Sequence, residues 1–358
     1  MLVLARRAVH VRPPESARIM NTPNLTPGTH PGTLFIGVDV SAAELVVASS
    51  PAQPSLRRVY SNSKPGVSAL IKAAEHLSQT SEVLVVTEAT GNLHVRLQDQ
   101  LAQAKLPCAL VQPFVTAQYA RMKGARSKTD AVDAALLAHY GAEQRPEPTT
   151  PPSALRRQIT QLTATRRGLI EARTRLKNQI GALRRLPEPD STCVRELTGL
   201  LGQLARRIER IEAKRAQVIE QEYAHEMELL TSVKGIGVQT ATALVAYAGD
   251  LSSFASPRQL VAYIGCDPTH RQSGTSLRVA GGISKRGNRH LRTLLYMGAH
   301  TARKYNASCR ALYERLVGRG KTKKQALIAV AAKLARQAWA VLHHRREYID
   351  GFGMSPCI

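Results

Sequence analysis

The sequence predicts an α/β domain followed by two largely helical regions. Short apolar runs alternate with helical patterns from residue 34 to about 148. Long helices with 4-3 apolar spacing continue to about 228, and a Gly-punctuated, strongly basic helical segment lies beyond. The expected organisation is a disordered N-terminal extension over 1–32, the α/β domain over 33–148 and a coiled-coil helical hairpin over 149–228. A mainly helical domain over 229–348 and a tail over 349–358 complete it.

The opening "MLVLARRAVHVRPPESARIM" is Arg-rich and poor in acids, like a transit peptide, but lacks a signal peptide's apolar core and small-residue cleavage site. It reads as an extension, or as an upstream start ahead of Met20. From Leu34, "LFIGVDVS" and "AELVVASS" form two apolar strands around a tight turn, with "LRRVYSNS" as a third. A helix opened by Pro65, a buried strand in "EVLVVTEAT", a helix from about Asn92 to Ala104 and a strand in "CALVQP" follow. An antiparallel opening before alternating helices and strands implies a mixed sheet covered by helices, the element order of an RNase H-like fold.

The stretch "RSKTDAVDAALLAHYG" sets Asp130 and Asp133 at the start of the next helix. As N-cap and N3 residues they would accept free amide hydrogens and favour the positive end of the helix dipole. At i and i+3 they would also share a face and could aim two carboxylates at one divalent cation. Asp39, in the first strand, and Glu88, at the carboxyl end of "VLVVTE", supply the partners that second reading needs. An acid in so apolar a strand is costly unless it is paired or metal-bound. Four carboxylates expected at one edge of the fold therefore favour metal ligation. Hard oxygen donors select Mg²⁺ or Mn²⁺, which can activate a water or hydroxyl and stabilise the leaving oxygen of a phosphodiester. Arg121, Lys123, Arg126 and Lys128, just ahead of the helix, would meet the phosphates.

The net charge of +24, from 50 Lys and Arg against 26 Asp and Glu, points to a polyanion as partner, with nucleic acid the default. Aromatics are only 4%, so phosphate contacts should outweigh stacking on bases. At 358 residues the chain is long enough for two or three domains with an active site, unlike a small ribosomal or nucleoid protein. Five scattered cysteines (Cys108, Cys193, Cys266, Cys309 and Cys357) without a CxxC pair argue for reduced thiols in a cytoplasmic protein and against a zinc site. No apolar run reaches membrane-spanning length.

After "EQRPEPTTPPS", Leu155, Ile159, Leu162, Leu169, Leu176, Ile180 and Leu183 fall on one seam, interrupted by Arg166 and Arg173. Beyond "LPEPD", Leu197, Leu201, Leu204, Ile208, Ile211 and Val218 continue the spacing. Such a hairpin is a spacer or, as preferred here, an oligomer contact. Its first half carries nine Lys or Arg from Leu155 to Leu186 against one acid, Glu171, a basic face that can lie along nucleic acid. In "LLTSVKGIGVQTATALVAYAG", Gly235 and Gly237 resemble a helix-hairpin-helix turn, whose amides would hold a phosphate; a plain helix-helix turn is the competing reading. From Lys285 to Arg346, 16 Lys or Arg face a single acid, Glu314.

With "IGVDVS", "TEATG", "SKTDAVDAALLA", "SVKGIGVQTATAL", "LVAYIGCDP", the "SG" at 273–274 and "ISKRGNRHLRTLLYM", the chain from about Leu34 to about residue 345 resembles a known family. It is similar to the DEDD-type insertion-sequence transposases, bridge-RNA-guided serine recombinases that include the Piv-like site-specific DNA invertases. The resemblance implies that Asp39, Glu88, Asp130 and Asp133 bind Mg²⁺ (or Mn²⁺) and that Ser273 is the nucleophile. It also implies sites assembled between protomers of a dimer or tetramer, and a structured non-coding RNA that pairs with donor and target DNA. From the residues alone Ser273 would pass for an ordinary loop hydroxyl. Lys128, Gly235, Gly237, Arg278, Lys285 and Arg286 are the expected nucleic-acid contacts. Two other functions compete: a Holliday-junction resolvase of the same fold, which uses metal-activated water, and a non-catalytic basic DNA-binding protein.

Overall fold

The structure, a computed structural model, describes residues 32–125, 129–273 and 277–350, with the backbone alone for 269–273 and 277–281. The chain divides between Pro151 and Pro152 into two compact units.

The N-terminal unit opens with β1 (Leu34–Val40), β2 (Glu44–Ser50) and β3 (Val59–Ser61), and continues through α1 (Lys64–Ser78), β4 (Val83–Glu88) and α2 (Val95–Gln103). β5 (Cys108–Val111), α3 (Pro113–Met122) and α4 (Asp130–Gln144) complete it. The five strands form one mixed sheet in the order β3-β2-β1-β4-β5; β1, β2 and β3 are antiparallel and β1, β4 and β5 parallel. That arrangement is consistent with an RNase H-like domain. The third strand is shorter than "LRRVYSNS" suggests. The second helix begins at Val95 rather than Asn92, because the chain first turns through Gly91 at φ +51°.

Each face of the sheet carries its own core. Ile36, Val38, Val40, Val83 and Val85 pack with Leu70 and Ile71 of α1 and with Leu97 and Leu101 of α2. On the other face Phe35, Leu84, Val86, Ala109 and Val111 pack with Leu137 of α4. Burial in this apolar setting pushes the Cys108 thiol up to about 12.

The C-terminal unit begins with two long helices, α5 (Ala154–Leu183) and α6 (Ser191–Glu222), packed as a hairpin. The turn between them ends at Asp190, whose carboxylate caps α6 by accepting the Thr192 and Cys193 amides at 2.8 and 3.0 Å. The apolar seam is the one the spacing marks out, with Ile159, Ile180, Ile208 and Val218 buried and the remaining seam residues half-buried. Arg166, at an interrupted seam position, reaches Glu212 of α6 at 2.6 Å. The hairpin's base packs through Ile159 and Val218 on Ala246 of α8 (Val238–Ala248), so arm and C-terminal helices form one unit. The unit continues through α7 (Ala224–Ser232), α9 (Pro257–Ile264), the hairpin of β6 (Pro268–Ser273) and β7 (Leu277–Ile283), α10 (Arg289–Tyr305), α11 (Ala307–Gly318) and α12 (Lys323–His343). Leu230, Leu244, Leu260, Ile264, Leu291, Leu295, Val330 and Leu334 form its core. Among the described residues no helix is long and apolar enough to cross a membrane.

Candidate active site

Strand alternation decides which side chains meet. Since Ile36, Val38 and Val40 face α1 and α2, Phe35, Gly37 and Asp39 belong to the opposite face of β1. By the same rule Leu84, Val86 and Glu88 share that face on β4. The parallel register pairs Val38 with Thr87, which sets Asp39 and Glu88 at the carboxyl ends of neighbouring strands.

Across this face runs α4, at backbone distance. A Cβ added at Gly37 would lie 2.1 Å from the Ala134 carbonyl oxygen and 2.4 Å from the Ala138 nitrogen, so only glycine admits the helix. One added at Gly141 would meet Val86 Cγ2 at 2.8 Å and Phe35 Cδ1 at 2.9 Å. This close seating brings the first turn of α4 to the strand ends. Asp39, Glu88, Asp130 and Asp133 consequently line one cleft of about 560 Å³, which Thr116 and Tyr119 of α3 also line.

Capping does not account for Asp130. The N-cap of α4 is Thr129, whose hydroxyl accepts the Val132 amide at 3.3 Å, and Asp130 is the first helical residue. The reading of Asp130 as N-cap is thereby corrected, because the preceding threonine already fills the role. Glu88 is held from two sides: its Oε2 accepts the Thr116 hydroxyl at 2.5 Å and its Oε1 the Thr90 hydroxyl at 3.3 Å. Asp39 titrates above its ordinary value, first because burial penalises the charged form and then because Asp130, Asp133 and Glu88 are negative; a hydrogen bond from the Val40 amide opposes them.

On α3, Lys123 pairs with Glu143 of α4 at 2.5 Å and the Tyr119 hydroxyl donates to the same carboxylate at 2.9 Å. Those two hydrogen bonds, Lys123 first, hold the Glu143 carboxyl below its usual range. Lys123, expected to meet phosphate, is thus engaged within the domain. Four acids at one sheet edge present the hard oxygen donors that divalent cations prefer. Among the described residues no three His, Cys, Asp or Glu side chains converge on one point of ligation.

A transposase family model, that of the DEDD insertion-sequence enzymes, matches residues 36–188, and one described as "Transposase IS116/IS110/IS902 family" matches 227–314. The chain is 30% identical over 323 residues to the pilin gene-inverting protein of Moraxella bovis, covering 88% of this chain and 97% of that one. The chain belongs to the DEDD-type insertion-sequence transposases of the IS110/IS116 family. It is also similar to a probable family 20 transposase of Pseudomonas aeruginosa, at 31% over 308 residues with 76% and 88% of the two chains covered. The transposase for insertion sequence element IS1111A of Coxiella burnetii is 26% identical over 312 residues, with 78% and 84% covered.

This transposase is a DNA recombination and transposition enzyme, and its DEDD domain points to a divalent metal. Its Ser273 ends β6, in register with Leu277, and Arg278 on β7 is in register with Gln272; Gly274, Thr275 and Ser276 lie outside the described residues. Lys128 lies outside them too, with Arg126. Lys285 and Arg286 are exposed in the link to α10, and the Lys285 amide donates to the Gly265 carbonyl at 3.2 Å. The transposase's two turn glycines differ. Gly235, at φ +111°, packs on α10, where an added Cβ would lie 2.7 Å from that of Ala302; Gly237 begins α8 with open space around it. Packing therefore accounts for Gly235, while Gly237 keeps the exposed helix N-terminus suited to a phosphate. Gly37, Gly141, Thr116 and Tyr119 are the site residues that reading the sequence missed. A glycine inside an apolar strand is a signal of close backbone approach and marks Gly37; nothing in the sequence marks Thr116.

Proposed function

We propose that this transposase cleaves and rejoins DNA through a phosphoserine at Ser273, with Asp39, Glu88, Asp130 and Asp133 of its RNase H-like domain holding Mg²⁺ or Mn²⁺. The observation that carries the proposal is the single cleft lined by four carboxylates from two strand ends and one helix start, in a chain of this family. The donor set fits a hard divalent ion, and the raised pKa of Asp39 reflects first its burial and then the negative charge of its neighbours, which such an ion would neutralise. A bound divalent ion supplies charge stabilisation for the phosphodiester under attack and for its leaving oxygen.

The Ser273 oxygen bonds to phosphorus, one bridging P–O bond breaks and the leaving oxygen departs with a proton. The energy of the phosphodiester is kept in the protein linkage, so a later DNA hydroxyl can reseal the strand with no outside energy. Relatives named for gene inversion and for transposition support strand exchange of this kind. The proposed enzyme works as a homo-oligomer, a dimer or tetramer. A structured non-coding RNA that pairs with donor and target DNA guides it, and the charge of +24 suits a surface carrying both nucleic acids.

Suicide DNA substrates with Mg²⁺ test the chemistry. Wild type is expected to form an SDS-stable protein-DNA adduct that Ser273→Ala loses while still binding DNA, and that Ser276→Ala keeps. Recombination by Ser273→Ala, or no adduct from the wild type, would put metal-activated water in the serine's place.

A further inference from the structure

We propose that Thr116 is a positioning residue for the metal cleft: its hydroxyl orients the Glu88 carboxylate for a divalent cation. The inference rests on the metal reading of the cleft and extends it to α3, an element that contributes no carboxylate to the quartet. Thr116 Oγ1 lies 2.5 Å from Glu88 Oε2 and 3.0 Å from the Pro113 carbonyl oxygen. A hydroxyl has one proton to give, and the charged acceptor at the shorter distance takes it.

Glu88 needs such a hold, because the terminal torsion of a glutamate is broad and each setting aims its oxygens differently. The Thr90 hydroxyl, at 3.3 Å from Oε1, is the weaker of its two contacts. Thr116 itself is fixed by the seating of its helix. One turn on, Tyr119 donates to Glu143 at 2.9 Å and meets the Tyr140 ring edge-on, with centroids 5.3 Å apart, and Lys123 pairs with the same glutamate. Glu143 and Tyr140 belong to α4, the helix that carries Asp130 and Asp133. The hydroxyl that aims Glu88 is therefore tied to the helix supplying two of the other three acids. Partners of ligating carboxylates tune metal affinity in this way, and their loss typically weakens it 10- to 100-fold.

Calorimetric titration of Mn²⁺ into the full-length protein tests this, with thermal melts in chelator recorded alongside. Thr116→Val keeps the shape and removes the hydroxyl; it is expected to weaken Mn²⁺ binding by about 10-fold or more while melting like the wild type. Thr116→Ala, a second way of removing the hydroxyl, should show the same loss, and Thr116→Ser should restore wild-type affinity. If Glu88→Gln loses Mn²⁺ but Thr116→Val and Thr116→Ala bind like the wild type, the positioning role is overturned and the metal reading stands. A folded Thr116→Ser that binds as weakly as Thr116→Val also overturns it. Should wild type and Glu88→Gln bind Mn²⁺ alike, the metal reading falls and this role with it.

Discussion

The fold resists the ionisation of Asp39, through burial and then through the charges of Asp130, Asp133 and Glu88. A carboxyl whose folded pKa is raised binds its proton more tightly in the folded state than in the unfolded one. Its contribution to stability is therefore greatest in acid and declines as pH rises from the ordinary value of 3.8 through the raised one. In its ionised form the group carries a cost that Asn would remove. Asp39→Asn is expected to melt at or above the wild-type temperature in chelator, to gain nothing from added Mn²⁺, and to cleave no DNA. Scanning calorimetry with and without Mn²⁺ checks this, and a marked fall in melting temperature in chelator would count against it. Asp130 and Thr129 separate function from capping. Thr129→Ala removes the hydroxyl that accepts the Val132 amide and should cost about 1 kcal/mol while cleavage persists. Asp130→Asn should leave stability near wild type and abolish cleavage; a folded, fully active Asp130→Asn protein would remove Asp130 from the proposed site.

Elements are held in place by features of unequal visibility. The seating of α4 depends on Gly37, where a methyl would press on the helix backbone, which cannot rotate aside as a side chain would. Gly37→Ala is expected to destabilise the N-terminal unit by about 3 kcal/mol or more, since overpacking against backbone has no rotamer escape. Gly168, in α5 with nothing within 4 Å of an added Cβ, is the matched control: Gly168→Ala should be neutral or stabilise by up to about 1 kcal/mol. Chemical denaturation of both proteins decides the point. The α5–α6 seam was legible because period alone reveals an apolar stripe. Its polar register was not, because Arg166 and Glu212 stand 46 residues apart and meet only once the hairpin closes. Ile208, 4% exposed, and Leu200, 43% exposed, differ accordingly. Ile208→Asp should cost about 3 kcal/mol or more through buried charge, whereas Leu200→Asp should leave the melting temperature unchanged.

For the whole molecule, charge is the dominant quantity. With a net +24 and few aromatics, phosphate neutralisation is expected to be the main source of DNA affinity, and the release of counterions should make that affinity depend steeply on salt. Raising salt from about 50 mM to about 200 mM is expected to weaken DNA binding on the order of 10³-fold. Fluorescence anisotropy of a labelled duplex measures it, and a shallow slope would assign binding to base contacts instead. The same substitution that empties the cleft of catalysis, Asp39→Asn, should leave this slope unaltered, because the basic residues that make it lie elsewhere in the chain.

What the sequence by itself determined was everything set by local period and by composition. It marked the strands "LFIGVDVS" and "VLVVTE", the long amphipathic arm, the polyanion partner, and the four acids as candidates, since an Asp or Glu in an apolar strand has few inexpensive explanations. Tertiary structure alone decided which of those acids line one cleft. The β1–β4 register sets Asp39 beside Glu88, and two glycines let α4 approach until Asp130 and Asp133 line the same cleft. It also moved the cap from Asp130 to Thr129, drew Lys123 onto Glu143, and brought Thr116 to Glu88. Contacts of this kind depend on distances between segments far apart in the chain, which no periodicity encodes.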